Sequence, residues 1–254
     1  MTKVITITDI GNKSGKTLNT VNLATWLALL GQKVLVIDLT TEAITTQFFT
    51  DKDFIANTTL EDVFIEDKSM DSAILESQVK NLFILPSVNM NDLFLKEVFT
   101  ENSFILRDLI DNLEQKFDFI FLDTYSENEI FLKTALNSSD QVLFLVKTEE
   151  NDELKNIDFI NKIIEISENN NKWLEISGII FTFYSENLKS KEIISNYKSK
   201  FGNIIYKTII PKNFTISESF NSLIPLALYD IKSFVSDIYL RLAREFLQNN
   251  NVKI

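Results

Sequence analysis

The chain has 254 residues, 45% hydrophobic and 24% charged, which suits one sizeable α/β domain over residues 1–254 with a substantial core. Cysteine and histidine are both absent, which excludes disulfides, thiol chemistry, histidine general bases and histidine-bound metals. The formal net charge of −11 argues against wholesale coating of nucleic acid, although it does not exclude a local basic patch.

Apolar runs bounded by polar turns predict buried parallel strands. In chain order these are VITIT (4–8), VLVID (34–38), LFILP (82–86), FDFIFLD (117–123), QVLFLV (141–146) and ISGIIFTF (176–183). Apolar residues at helical spacing lie between them, at 21–30, 101–117 and 153–169. Alternating strands and helices predict a mainly parallel central sheet flanked by helices, with ligands at the carboxyl ends of the strands.

The five glycines mark predicted boundaries in this pattern. Gly31 is expected to end the first helix, Gly178 to open the last strand and Gly202 to follow a helix. Gly11 and Gly15 lie within five residues of each other, which indicates a loop whose backbone is constrained.

The two chain ends indicate neither export nor membrane attachment. The N-terminal segment is a short strand broken by Gly11 rather than a signal peptide, and no apolar run reaches about 18 residues, so we expect a soluble cytoplasmic protein. The segment 233–250 predicts a helix packed on the core. Its apolar stripe consists of Phe234, Val235, Ile238, Tyr239, Leu242 and Phe246. After this helix only Lys253 is basic, which argues against a membrane anchor, and residues 249–254 are expected to fray.

The stretch DIGNKSGKT (9–17) follows the first strand and ends as a phosphate-binding loop ends. In such a loop the backbone N–H groups and the following helix N-terminus hold phosphates, while Lys16 reaches the β- and γ-phosphates and the Thr17 hydroxyl binds Mg²⁺. Ile10, however, stands where the usual pattern has its first glycine. The motif therefore leaves open a working site, a variant class of site or a relic.

Two aspartates occupy predicted strand ends, Asp38 after VLVI and Asp123 after FDFIFL. A carboxylate at the same sheet edge as a phosphate loop is placed to hold Mg²⁺, directly or through water. Each could singly be an ordinary strand-terminal residue. Their joint occurrence with the loop favours a magnesium site formed by Thr17, Asp38 and Asp123.

The chain resembles the ParA/MinD family of deviant Walker-A P-loop ATPases, and specifically the ParA branch that partitions chromosomes and plasmids. The similarity runs through GNKSGKTLNTVNLATWLALLGQKVLVIDL, FDFIFLDT, SSDQVLFLVKTE and YKTIIPKNFTISESFNSLIPLALYDIKS, and is weakest at 45–110. The family loop lacks the first glycine, so Ile10 is no anomaly. The resemblance implies a three-layer P-loop NTPase fold and binding of ATP or ADP with Mg²⁺.

The resemblance also implies roles for individual residues. Catalytic roles fall on Lys16, Asp38 and Thr40. Nucleotide contacts fall on Gly11, Asn12, Lys13, Ser14, Gly15, Lys16, Thr17 and Leu18, with Pro211 and Asn213 at the adenine. Pro211 could equally be a plain turn residue that ends a strand.

Four departures from the family pattern bear on hydrolysis and on contact across a dimer. The signature lysine that reaches the partner's phosphates aligns with Gly11, and the paired glycines align with Asn12 and Lys13. The second acidic residue of the family's D-x-D aligns with Thr40, and the two prolines after the Walker-B segment are replaced by Tyr125 and Ser126. These changes predict nucleotide binding with slow hydrolysis, because a hydroxyl at Thr40 can orient water but brings no charge.

The segment from Lys189 to Lys212 contains six lysines and one glutamate. A solvated helix face is the plainer interpretation of such a run. The resemblance implies weak, non-specific DNA binding there, through Lys189 and Lys212 with Lys232 nearby, and it would depend strongly on salt.

Three functional interpretations follow. The first is a ParA-like partition protein, a nucleotide-dependent homodimer switch that works with a ParB-like partner and without a membrane. The second is a pseudo-ATPase adaptor that binds nucleotide and a partner protein without cycling. A metabolic ATP-dependent enzyme on the same fold is disfavoured because no further polar cluster is available for a small substrate.

Overall fold

The computed structural model describes residues 2–11, 14–40, 42–51, 58–65, 68–87, 92–124, 128–149 and 153–252, without the side chains of residue 65 and residues 92–95. Several predictions fall outside this part of the chain: those on Asn12, Lys13, Tyr125, Ser126 and the last two residues of the tail.

The described strands form one sheet of seven, and the six predicted strands are all present. The strands are β1 (Lys3–Thr8), β2 (Val34–Leu39), β3 (Leu75–Glu76), β4 (Leu82–Leu85), β5 (Phe119–Thr124), β6 (Gln141–Lys147) and β7 (Glu175–Thr182). Their order is β3-β4-β2-β5-β1-β6-β7, and every pairing is parallel except that of β3 with β4. The two-residue β3 was not predicted, because so short a strand has no detectable period.

Helices cover both faces of the sheet, which confirms the α/β class with a mainly parallel sheet. They are α1 (Lys16–Leu29), α2 (Ile44–Phe49), α3 (Leu60–Ile65), α4 (Met70–Ala73), α5 (Asp92–Glu101), α6 (Ile105–Asp111), α7 (Glu129–Ser138), α8 (Glu153–Asn169), α9 (Leu188–Phe201), α10 (Phe214–Asn221), α11 (Leu226–Tyr229) and α12 (Phe234–Asn249). A short 3₁₀ turn, Gly202–Ile204, follows α9. No helix in the described ranges is long and apolar enough to cross a membrane.

Successive side chains of a strand point to opposite faces of the sheet, which gives the protein an apolar core on each face. In β2, Val34 and Val36 belong to the apolar cluster beneath α1 and α12, whereas Leu35 and Ile37 belong to the cluster on the opposite face. On the first face, the ring of Phe246 packs against those of Phe119 and Phe121, with centroids 5.1 and 5.8 Å away.

Three sequence predictions are wrong in detail. The helix predicted over 101–117 is interrupted, since α5 ends at Glu101 and α6 spans only Ile105–Asp111. Gly178 lies inside β7 rather than at its start. A glycine is needed there because the Tyr206 ring occupies the space of a side chain, and an added Cβ would lie 2.1 Å from Tyr206 Cε2. Phe234 is 67% exposed at the start of α12, whereas the other five residues of its stripe are buried.

Candidate nucleotide-binding site

The phosphate loop connects β1 to α1 at the carboxyl edge of the sheet. Gly15 is the residue before the helix and adopts a left-handed conformation, with φ 86° and ψ 32°. A Cβ there would lie 3.3 Å from Asn19 Nδ2, so both the backbone angles and the space favour glycine. α1 therefore begins directly after a glycine turn, and a helix N-terminus in this position is a common anion-binding site.

Asn19 fastens this turn to the last helix, and sequence reasoning missed it. Its Nδ2 donates to the Gly15 carbonyl at 2.8 Å, and its Oδ1 accepts from the Tyr239 hydroxyl at 3.0 Å. One turn later, Asn22 Oδ1 accepts from the Leu226 N–H at 2.7 Å. The signal available in the sequence was a run of polar residues on a helix that is otherwise apolar.

Lys16 is buried and is held by its own loop. Its Nζ lies 2.6 Å from Asp9 Oδ1 and 2.8 Å from the Gly11 carbonyl oxygen. The Gly11 N–H donates to the same Asp9 oxygen at 3.2 Å. Asp9 was not singled out from the sequence, because no motif assigns it a role.

Thr17 and Asp123 meet directly across the edge of the sheet. The Thr17 hydroxyl donates to Asp123 Oδ2 at 2.7 Å, and the Thr45 hydroxyl donates to the same oxygen at 2.5 Å. Asp123 Oδ1 is buried and has no hydrogen-bond partner among the described residues. That orphaned carboxylate oxygen beside a threonine hydroxyl matches the all-oxygen coordination that Mg²⁺ prefers.

Asp38 lies beside Asp123 but is engaged differently. The two residues are register partners of β2 and β5. Asp38 Oδ1 accepts from the N–H and hydroxyl of Thr40, at 2.9 and 2.6 Å, and Oδ2 accepts from the N–H and hydroxyl of Thr46, both at 2.8 Å. Asp38 is therefore fixed by α2 and its preceding loop, and both of its carboxylate oxygens already accept hydrogen bonds.

The two carboxyl groups have raised proton affinities. Burial raises the pKa of Asp38 above its ordinary value. Burial, and then the charge of Asp38, raise the pKa of Asp123 to about 7, against the opposing hydrogen bonds from Thr45 and Thr17 and the charge of Lys16. A cation placed between these groups would favour their ionised forms.

The remaining loop residues present different groups to a ligand. Ser14 Oγ is buried and has no hydrogen-bond partner in the described chain. The Leu18 side chain packs in the apolar core, which leaves its backbone for any ligand contact. No cluster of three or more Asp, Glu, His or Cys residues able to hold a metal occurs in the described ranges, so Mg²⁺ here would need ligand oxygens from phosphates and water.

The predicted adenine segment pairs with the chain just after β7, which itself approaches the phosphate loop. Phe183 Cε2 would be 3.7 Å from a Cβ on Gly15, and the next residue, Tyr184, forms a parallel bridge with Pro211. Asn213 caps α10 by accepting from the Thr215 N–H at 2.8 Å. Pro211 and Asn213 thus belong to the segment that pairs with the chain after β7 and leads into α10.

Two of the three predicted DNA-contacting lysines converge on one residue, Glu149, just beyond β6. Lys189 Nζ donates to the Glu149 carbonyl oxygen at 2.6 Å, and Lys212 Nζ pairs with Glu149 Oε1 at 2.7 Å. Lys232 is exposed in the segment between α11 and α12. Other lysines of the basic segment are also paired, Lys191 with Glu186 and Lys200 with Glu153.

Comparison with known proteins gives a consistent set of relatives. A sequence model of the family described as "AAA domain" matches residues 2–176. The chain is 27% identical to the sporulation initiation inhibitor protein Soj of Bacillus subtilis, covering 98% of this chain and 100% of Soj. It is also 27% identical to the chromosome partitioning protein ParA of Caulobacter vibrioides, over 96% of this chain and 94% of that protein.

A solved structure with the same fold is the septum site-determining protein MinD of Pyrococcus horikoshii, in complex with Mg-ADP. The two chains superpose with a TM-score of 0.79 and 24% identity, covering 100% of each. The likeness spans the whole sheet and the helices on both of its faces.

Proposed function

Because the chain belongs to the ParA/MinD family of P-loop ATPases, we propose that it binds an adenine nucleotide with Mg²⁺ and acts as a nucleotide-dependent dimer switch in chromosome or plasmid partition. A ParB-like partner protein would stimulate or read this switch. The relatives named Soj and ParA, matched over nearly their full lengths, support the partition role.

The observation behind this proposal is the direct meeting of Thr17 with Asp123 beside the glycine turn that opens α1. Gly15 opens α1 in a left-handed turn, and the first N–H groups of α1 would hold the phosphates, with Lys16 supplying a cation. Thr17 and Asp123 would hold Mg²⁺, with Asp38 beside them, and Pro211 and Asn213 would flank the base. The bound Mg²⁺ would neutralise negative charge on the phosphate oxygens.

We further propose that hydrolysis is slow. Gly11 has no side chain to reach a neighbour's phosphates, and Thr40 commits its hydroxyl proton to Asp38. Thr40 retains lone pairs that can accept from a water molecule, but it brings no negative charge. Loss of a charged group that acts on the transferring phosphoryl group commonly costs about 10³-fold in rate.

The same two residues favour a second candidate, a pseudo-ATPase adaptor that binds nucleotide and a partner protein without turnover. The preserved IPKN and YD segments favour the switch instead, since they are parts of the family pattern that an adaptor would not need together. The two candidates differ in whether the protein dimerises in response to ATP.

Restoring the two lost groups distinguishes them. A Cβ on Gly11 meets no described atom within 4 Å, so the first carbon of a lysine side chain fits at this position. We expect the Gly11→Lys, Thr40→Asp variant to dimerise with Mg-ATP and to release phosphate faster than the wild-type chain, measured by light scattering and a phosphate assay. Gly11→Gln with Thr40→Asn is the matched uncharged control.

Two results would count against parts of the proposal. Wild-type turnover as fast as that of ordinary ParA proteins would refute slow hydrolysis. Failure of both the wild type and the restored variant to dimerise with Mg-ATP would refute the switch and leave the adaptor.

A further inference from the structure

Asp9 and Lys16 form a buried ion pair inside the phosphate loop. Asp9 is 3% exposed and Lys16 is 7% exposed, and their charged atoms are 2.6 Å apart. Asp9 also accepts from the Gly11 N–H, which keeps its carboxylate beneath the loop. The acid therefore lies seven residues before the lysine in sequence but in direct contact with it.

This contact uses the group that a nucleotide needs. In a phosphate loop the lysine ammonium reaches the β- and γ-phosphates, so a bound nucleotide and Asp9 require the same cation. If Lys16 turned to phosphate, Asp9 would stay close by as a buried carboxylate with less compensation. Asp9 would also repel the phosphates, because like charges a few ångströms apart in a poorly solvated site interact strongly.

The rest of the site adds to this negative charge. Asp38 and Asp123 are register partners in the sheet, and Lys16 is close enough to Asp123 to influence its ionisation. A polyphosphate entering without a metal would thus meet the acidic groups of Asp9, Asp38 and Asp123 as well as the ammonium group of Lys16. A bound Mg²⁺ would offset the negative charge of Asp38 and Asp123. It would not offset the charge of Asp9, which lies in the loop in contact with Lys16.

We propose that Asp9 is an internal counter-ion that competes with nucleotide phosphates for Lys16 and sets a low nucleotide affinity. This inference rests on the proposed nucleotide site. Asp9 acts as a positioning residue through Lys16. It holds the lysine ammonium group in the loop until the phosphates of Mg-nucleotide replace Asp9 as the partner of that group.

The variant Asp9→Asn tests this directly. Asparagine keeps an oxygen that can accept from the Gly11 N–H and from Lys16, so the loop contacts persist while the charge is removed. We expect the dissociation constants for Mg-ADP and for the Mg complex of a non-hydrolysable ATP analogue to fall by about tenfold or more. Calorimetry on the full chain measures both.

Two further variants keep the test decisive. Asp111→Asn removes the same charge from an exposed helix position, where Asp111 pairs with Arg107, and should leave nucleotide affinity unchanged. Asp9→Ser replaces Asp9→Asn if the latter does not fold, as judged by circular dichroism and thermal melting. It carries the same expectation, because it too lacks the charge.

The outcomes separate this inference from the proposed function. If the wild type binds nucleotide and the uncharged variant binds equally or more weakly, the counter-ion role is overturned and the site stands. If only the uncharged variant binds, the counter-ion role is supported and the proposed function of the native chain is rejected. If neither binds, both are rejected.

Discussion

At the scale of single residues, the two strand-end aspartates differ in how their oxygens are satisfied. Both oxygens of Asp38 accept hydrogen bonds from Thr40 and Thr46, whereas Asp123 keeps Oδ1 without a partner among the described residues. A buried carboxylate oxygen left in this way is costly unless a cation or water reaches it. This difference makes Asp123 the better candidate for a direct magnesium ligand, with Asp38 as its neighbour.

The raised pKa of Asp123 predicts a pH-dependent stability. The folded-state pKa is about 7 and the ordinary value is 3.8, so between these values the folded chain binds more protons than the unfolded chain. Its free energy of unfolding should therefore fall as pH rises from about 4 to about 7, by up to about 4 kcal/mol from this group. We expect Asp123→Asn to lose this part of the pH dependence when Mg²⁺ is chelated.

Urea unfolding at pH 5 and pH 8 in chelator measures the effect. The wild type should lose more stability between the two pH values than Asp123→Asn does, while Asp111→Asn should follow the wild type. Parallel profiles for the wild type and Asp123→Asn would show that Asp123 titrates normally, and the account of its burial would be wrong.

The sequence predicted the candidate site residues better than it predicted the side chains that contact them. Lys16, Thr17 and Asp123 were identified from their motif and strand positions, and the structure brings them to one edge of the sheet. The partners that hold them, Thr45 and Asp9, were missed. A threonine 78 residues away from its aspartate in sequence is brought near only by the packing of α2 on the sheet, and no local pattern encodes that contact.

At the scale of elements, the basic segment shows how folding changes a charge count. Six lysines against one glutamate suggested a positive patch, yet neighbouring elements supply acids to it. Glu149 after β6 pairs with Lys212 and Glu153 at the start of α8 pairs with Lys200. The net positive potential of this surface is therefore smaller than the sequence window indicated.

We still propose weak, non-specific DNA binding by this surface, and its geometry sharpens the test. A labelled duplex should be retained at low salt, measured by fluorescence anisotropy, and retention should be lost with Lys189→Glu and Lys212→Glu. Glu149→Gln should strengthen retention, because it frees Lys212 from its counter-charge. Charge reversal of Lys116, between α6 and β5, and of Lys162, in α8, is the matched control.

Absence of retention by the wild type at low salt would refute DNA binding. Equal retention by the Lys189, Lys212 double variant and by its control would refute the assignment to this surface. In either case the nucleotide site would be unaffected.

The length and periodicity of each helix or strand decided whether it could be predicted from the sequence. Long apolar strands such as β5 and β6 and the strongly periodic α8 were found with nearly correct ends. A single helix was wrongly predicted over 101–117 because the apolar spacing continues past the end of α6, where the chain turns toward β5. Gly178 misled because its role, leaving room for the Tyr206 ring, depends on a residue 28 positions later.

At the scale of the whole molecule, the sheet order explains why one edge holds the site. β1 lies between β5 and β6, and β5 pairs with β2. The phosphate loop therefore follows β1, while Asp123 and Asp38 lie near the carboxyl ends of the adjacent strands β5 and β2. Parallel strands place their carboxyl ends together, as the alternation of strands and helices predicted. The order itself could not be read from the alternation, because parallel strands of similar composition exchange places without changing the pattern.

α1 joins this edge to the rest of the fold. It begins at Lys16, packs along α12 and binds the last helix through Asn19 and Tyr239. A nucleotide held at its N-terminus would therefore contact an element buried along most of its length. This burial favours a helix N-terminus that is already formed before a ligand binds.

The most direct test of the account is calorimetric titration of the full chain with Mg-ADP, alongside Lys16→Ala. We predict a single saturable site in the wild type. Its affinity for the nucleotide should fall at least about 100-fold with Lys16→Ala and when Mg²⁺ is chelated, and should be unchanged by Lys162→Ala on the surface. Absence of wild-type binding, or equal binding by Lys16→Ala, would contradict the claim that this loop holds a magnesium nucleotide.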